Sequence, residues 1–167
     1  MKALKRIVLA TIAIFVGLWI VVQVVGRNAP AGLGVHEGGL AECPDTPNCV
    51  CSDCDRPAKM PPLEFSGDAA AAKTALKQAL SASQIAVIEE NENYLHAVAT
   101  TPLMRFKDDL EFLIVPEEKK IHFRSASRLG KSDLGKNRAR LEKIFALLAK
   151  DGLRVGAATF EPPKQSN

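Results

Sequence analysis

From Ile7 to Val25 the chain reads IVLATIAIFVGLWIVVQVV, nineteen consecutive residues without a charge. Wound into a helix at about 1.5 Å per residue, the run spans roughly 28 Å, the thickness of a bilayer's hydrocarbon core. Thr11 and Gln23 are its only polar interruptions, too few for the wet face of a soluble helix. Lys2, Lys5 and Arg6 precede the run, and Arg27 is the only charge close behind. That excess of positive charge favours an N-terminus inside and residues 28–167 outside. The expected topology is a single pass through the inner membrane, held through residues 7–25, with a cytoplasmic N-terminus and a periplasmic C-terminal domain. A cleaved signal peptide is the rival, since Ala29 and Ala31 supply a small-x-small pattern. Signal h-regions run about 7–15 residues, however, and Trp19 in the outer half of the run suits an interfacial anchor. A retained anchor is therefore preferred. No cysteine stands directly behind the run, which argues against lipid attachment.

The chain's four cysteines, Cys43, Cys49, Cys51 and Cys54, fall within twelve residues of this outer part. A structural zinc site would call for two close pairs separated by a longer loop. Here only Cys51 and Cys54 have the pair spacing, and the gap before them holds Pro44 and Pro47. A thioredoxin-like C-x-x-C would open a helix, which Pro57 and the Pro61-Pro62 pair oppose. In an oxidising compartment an even number of cysteines most often forms disulfides. Two disulfides thus lead over a metal or cluster site and over a redox-active pair. Connectivity stays open at this level, with Cys43–Cys49 and Cys51–Cys54 the simplest option. No cofactor is expected.

Four of the 22 basic residues and none of the 19 acidic ones precede residue 28, leaving 18 basic against 19 acidic residues outside. A nucleic-acid binder would show a basic excess, so that class is excluded as an expectation. Composition divides the chain into a membrane anchor at 1–27, a tether and cysteine-rich strap at 28–67, a domain at 68–160 and a disordered tail at 161–167. Residues 26–42 are glycine-rich with little apolar periodicity and read as a flexible tether, and residues 43–65 as an irregular strap.

Asp68 suits the N-cap of a helix in which Ala72, Ala75, Leu76, Ala79 and Leu80 form a stripe. Ile85–Ile88 suits a short strand, Glu89–Asn93 a turn, and Tyr94–Thr100 an alternating strand. Leu110–Val115 alternates again, and Pro116–Lys119 makes a hairpin connection. Ile121 and Phe123 then face one side, with His122 and Arg124 on the other. A final helix starting at Ser132 or Asp133 buries Leu134, Leu141, Ile144, Phe145 and Leu148. Val155–Phe160 could add an edge strand. The expected fold class is α+β: a small antiparallel sheet with helices packed on one face, preceded by a single transmembrane helix.

Three segments carry a resemblance: CPDTPNCV at Cys43–Val50, TPLMRFKDDLEFLI at Thr101–Ile114 and RSASRLGKSDLGKNRARLE at Arg124–Glu142. In collinear order from Cys43 to about Leu148, they resemble the uncharacterised bacterial and plastid family called domain of unknown function 1499. The resemblance supports a Cys43–Cys49 bridge and brings no activity with it. The chain departs from that pattern at Cys51 and Cys54, where a Ser or another small polar residue would be expected.

Chemistry concentrates between the last strand and the final helix. Arg124, Arg128, Lys131, Lys136, Arg138 and Arg140 crowd that stretch, with Ser125, Ser127, Ser132 and Asn137 beside them and Arg105 on a neighbouring loop. Unpaired N–H groups at a helix start favour anions, so Arg105, Arg124, Ser125, Ser127, Arg128, Lys131, Ser132, Asn137 and Arg138 form the candidate site for an anion or a partner. The competing reading is a scaffold in which Arg124 or Arg128 pairs with Asp108, Asp109 or Glu111. His96 and His122 could share a sheet face with Glu111 and Arg124, for which a solvent-facing polar side is the plainer explanation. Neither G-x-S-x-G nor H-E-x-x-H occurs, and Gly130-Lys131-Ser132 lacks the earlier glycine of a phosphate-binding loop. No catalytic residue is assigned. A non-enzymatic binding or assembly module of the cell envelope is the leading expectation, with an envelope protein or an anionic ligand as partner. The alternative is an enzyme acting on an anionic envelope substrate through the Arg124–Arg140 loop, with a histidine such as His122 as general base.

Overall fold

The computed structural model describes residues 1–55, 59–151 and 154–155. The apolar run lies in one helix, α1 (Lys2–Val25), in which Val22 is buried while Ile14, Leu18 and Val24 are well exposed. A soluble core helix would be covered by the rest of its fold, whereas α1 is bare along most of its length. It is long and apolar enough to cross a membrane.

Next comes a hairpin of β1 (Val35–His36) and β2 (Gly39–Leu40). Its two turn residues, Glu37 and Gly38, both have positive φ, 50° and 85°. That combination matches the right-handed twist of paired strands, and Gly38 adopts it without steric cost.

A larger antiparallel sheet follows, built from β3 (Cys49–Cys51), β4 (Leu63–Glu64), β5 (Ala86–Glu90), β6 (Tyr94–Thr100), β7 (Lys107–Val115), β8 (Lys120–Ser127) and β9 (Arg154–Val155). The order is β5-β6-β7-β8-β4-β9, with β3 pairing on the same edge of β8 as β4. Alternation along the strands sets two faces. On one face Leu95, Phe112 and Phe123 stand in a row across β6, β7 and β8. Helices α2 (Ala69–Ala82) and α3 (Lys136–Leu148) pack on that face and close the apolar core. The Phe123 and Phe145 rings meet there at 4.9 Å and 60°. Asp68 caps α2 by accepting from the Ala71 N–H, and Ala72, Leu76, Ala79 and Leu80 are buried, as the sequence pattern predicts. The fold is α+β with both packed helices on one face, behind an apolar helix.

Several boundaries differ from expectation, each for a tertiary reason. Strand β7 begins at Lys107 rather than Leu110, because Asp108 and Asp109 find arginine partners inside the fold. Helix α3 begins at Lys136, after Gly135 at φ 77°, rather than at Ser132 or Asp133. Leu134, expected in the buried stripe, is 88% exposed and sits outside the helix at φ 56°. Strand β5 runs through Glu89 and Glu90, leaving only residues 91–93 for the turn. Residues 26–42, read as a flexible tether, include the hairpin, and the Gly34 N–H donates to Glu111 on the sheet. Residues 43–65, read as irregular, contribute β3 and β4. Val155 lies in β9, while Gly156–Phe160 and the tail from Glu161 lie outside the described residues.

Candidate functional site

Antiparallel register places His96, Glu111 and Arg124 in a row across the sheet, on the face opposite the helices. Tyr94 and His122 flank Leu113 in the next row, and Asp109 lies between Val98 and Ala126. This polar face does not meet solvent as expected: His96, Asp109, Glu111 and Arg124 are all buried. The Gly34 backbone reaches Glu111, and β2 lies against β7 and β8. Charges tolerate such burial only when they are paired and hydrogen-bonded, and here they are.

Glu111 accepts three hydrogen bonds: from Tyr94 Oη at 2.9 Å, from the Gly34 N–H at 2.7 Å and from Arg124 Nη1 at 2.9 Å. Burial, followed by the Glu111 charge, pushes the Tyr94 hydroxyl well above its usual range and keeps it a neutral donor. Asp109 takes a two-pronged grip from Arg128, Nε at 2.8 Å and Nη2 at 2.7 Å, and has His96 Nε2 at 2.8 Å. Burial alone would raise the Asp109 carboxyl, but the hydrogen bonds of His96 and Arg128 outweigh it and hold it below the ordinary carboxylate range. Arg128 Nη1 also donates to the carbonyls of Gly26 at 3.2 Å and Arg27 at 3.1 Å, just past the end of α1. Arg140 pairs with Asp108.

Asn137, fully buried at the start of α3, ties three segments together. Its Oδ1 accepts from Ser125 Oγ at 2.7 Å and Arg140 Nη1 at 2.7 Å. Its Nδ2 donates to Ser127 Oγ and to the Asn48 carbonyl, each at 3.0 Å. Asn48, buried between the first two cysteines, donates in turn to the Gly130 carbonyl at 2.6 Å. The α3 N-terminus, expected to attract an anion, already has one: Asp133 accepts from the Gly135 and Asn137 N–H groups at 3.0 and 2.7 Å.

The residues named from sequence therefore separate into two groups. Arg124, Ser125, Ser127, Arg128 and Asn137 point into the internal network just described. Arg105, Lys131 and Ser132 stand exposed on loops, and Arg138 reaches the Lys59 carbonyl at 3.4 Å. His122 sits near the start of β8, at the other end of that strand from Arg128, with Ser52 Oγ at 3.4 Å and Glu118 at 3.9 Å. It does not converge with the arginine loop. His96, Asn48 and Tyr94 matter more than sequence reasoning suggested. The only earlier signal for His96 was its sheet parity with Glu111. Asn48 had only its place in CPDTPNCV.

The cysteines pair as Cys43–Cys49 and Cys51–Cys54, with Cα separations of 5.7 and 6.0 Å. Register puts Cys49 and Cys51 opposite Ala126 and Arg124, so the bridges border the polar face. Among the described residues no group of three or more His, Cys, Asp or Glu side chains is placed to hold a metal ion.

Fold and site define a class: a small α+β domain with a disulfide-bonded edge strand and a buried, internally paired polar face, behind a helix able to cross a membrane. A model of the family described as protein of unknown function (DUF1499) matches residues 39–148, and the chain belongs to that family. The match runs from β2 to the end of α3. The comparisons with curated proteins and with solved structures find no match.

Proposed function

We propose that this protein is a membrane-anchored domain on the outer face of the inner membrane that binds or assembles with another component of the cell envelope and catalyses no reaction of its own. One observation carries this reading: Arg124, Arg128 and Arg140, which would have to clamp an anionic substrate, each engage an internal carboxylate. The polar face behaves as a scaffold, and contact with a partner falls to the exposed loops that carry Arg105 and Lys131. Cross-linking in the intact envelope, followed by capture of the full chain, tests it. Arg105→Gln with Lys131→Gln should keep the wild-type melting temperature and lose the cross-linked partner. An undiminished cross-link would count against those loops as the binding surface.

A second reading, an enzyme acting on an anionic envelope substrate, is favoured by a different feature from the one expected. His96, held by Asp109, borders a groove of about 370 Å³ lined by Arg27, Ile88, Lys107 and Arg128. A histidine oriented by a carboxylate is a general-base arrangement. If a turnover is found in this protein, His96→Gln should abolish it while His122→Gln leaves it intact.

A further inference from the structure

Two loops stand at the end of the sheet nearest α1: residues 101–106, between β6 and β7, and residues 128–135, between β8 and α3. Both are fastened to the end of α1. Gln23 Nε2 donates to the Met104 carbonyl at 3.1 Å, and Arg128 holds the carbonyls of Gly26 and Arg27. A methyl group added at Gly26 would lie 3.5 Å from Leu129 Cδ1, so the second loop touches the helix end as well.

This attachment fixes a depth. If α1 spans the bilayer, Val25 ends the apolar run and marks the edge of the hydrocarbon core. Gln23 lies two residues inside that edge, roughly 3 Å at a helical rise of about 1.5 Å per residue. The loop bonded to Gln23 is therefore level with the membrane interface.

The side chains on these loops suit that level. Leu134 is 88% exposed and Leu103 72%, more than any other large apolar residue described after α1, and Phe106 beside them is 38% exposed. Arg105 and Leu134 are also held at φ 57° and 56°, a backbone conformation that disfavours bulky residues. Exposed cations surround them: Arg105, Lys131 and Lys136. The acids beside them are already engaged, Asp133 with the start of α3 and Asp108 with Arg140. Apolar tips ringed by cations are the pattern of a surface that seats in an anionic lipid interface.

We propose that residues 101–106 and 128–135 dock on the bilayer beside α1. Leu103, Phe106 and Leu134 enter the upper acyl region, and Arg105, Lys131 and Lys136 meet the phosphates of anionic phospholipids. The proposal rests on the anchored reading of α1 and extends it, because the domain then sits against the membrane instead of swinging on a leash. A partner engaging the loops of Arg105 and Lys131 would then meet them at the lipid surface.

Trp19 is the only tryptophan, which makes a direct test simple. The full chain is reconstituted in vesicles of phosphatidylglycerol and phosphatidylcholine containing a phospholipid that carries a quencher high on its acyl chain. In a Trp19→Phe background, single tryptophans are introduced as Leu103→Trp, Leu134→Trp and, at the distal turn, Glu92→Trp. Interfacial burial of about 5–10 Å should quench the first two to within about twofold of Trp19 in the parent chain, and leave the Glu92→Trp variant unquenched. Strong quenching of Trp19 with Leu103→Trp and Leu134→Trp no more quenched than Glu92→Trp would overturn docking and leave the anchor standing. An unquenched Trp19 would overturn both. Replacing Arg105, Lys131 and Lys136 together by Gln should reduce quenching in the Leu134→Trp variant. No change there would remove anionic lipid as the ligand.

Discussion

Glu111 is fully buried, and its carboxylate is held by Arg124, the Tyr94 hydroxyl and the Gly34 backbone. Removing one partner of such a pair leaves the other charge stranded away from water. Arg124→Gln should therefore destabilise the domain by about 3–5 kcal/mol, read from chemical denaturation. A loss as small as that of an exposed pair would show that water reaches this face. Asp109 gives a pH signature. Its folded carboxyl lies below the ordinary range, so it releases its proton more readily folded than unfolded. Its stabilisation is complete above about pH 4, where the unfolded group is also ionised, and is lost as pH falls below that value. Between about pH 7 and pH 3 the wild type should lose more stability than Asp109→Asn, whose amide does not titrate. Equal losses in the two proteins would rule this residue out as the source.

At the scale of elements, short loops closed by covalent or polar ties replace regular structure. The Cys51–Cys54 bridge closes a loop with a sequence separation of 3, so its effect on the unfolded chain is small. Replacing both by Ser should cost about 2 kcal/mol, less than Arg124→Gln, and the protein isolated without reductant should alkylate at cysteine only after reduction. Free thiols before reduction would argue for another state of the strap. Helix α3 could not be timed from sequence, since Ser132 and Asp133 both look like N-caps. The helix starts later because Asp133 turns back onto the Gly135 and Asn137 N–H groups while Asn137 is drawn into the core by Ser125 and Asn48. Asn137→Asp keeps the shape but removes the Nδ2 donor. It should lower the melting temperature and loosen the segment around Asn48, as hydrogen exchange would register.

For the whole molecule, the expected orientation puts residues 28–167 outside, so a reporter fused after Asn167 that works only when exported should be active. A signal only from a cytoplasmic reporter would reverse the topology and undercut the oxidising compartment. What the sequence by itself determined is what depends on one segment at a time. Composition alone set α1 apart. Period-2 alternation marked β6, β7 and β8 and correctly put Ile121 and Phe123 opposite His122 and Arg124, because side-chain parity is a local property of an extended chain. The Asp68 cap and the α2 stripe are local in the same sense. Only the tertiary structure decided that the polar side of the sheet is covered as well. Glycine-rich residues 26–42 carry no periodicity to announce a packed role, and their place follows from one N–H at Gly34 meeting a carboxylate 77 positions later. The same holds for the arginines. Their sequence shows six cations in a cluster, but whether each is free or neutralised depends on the register that sets Glu111 against Arg124 and on loop closures that bring Asp109 to Arg128 and Asp108 to Arg140. Such pairings are properties of two distant segments at once, and no local pattern encodes them.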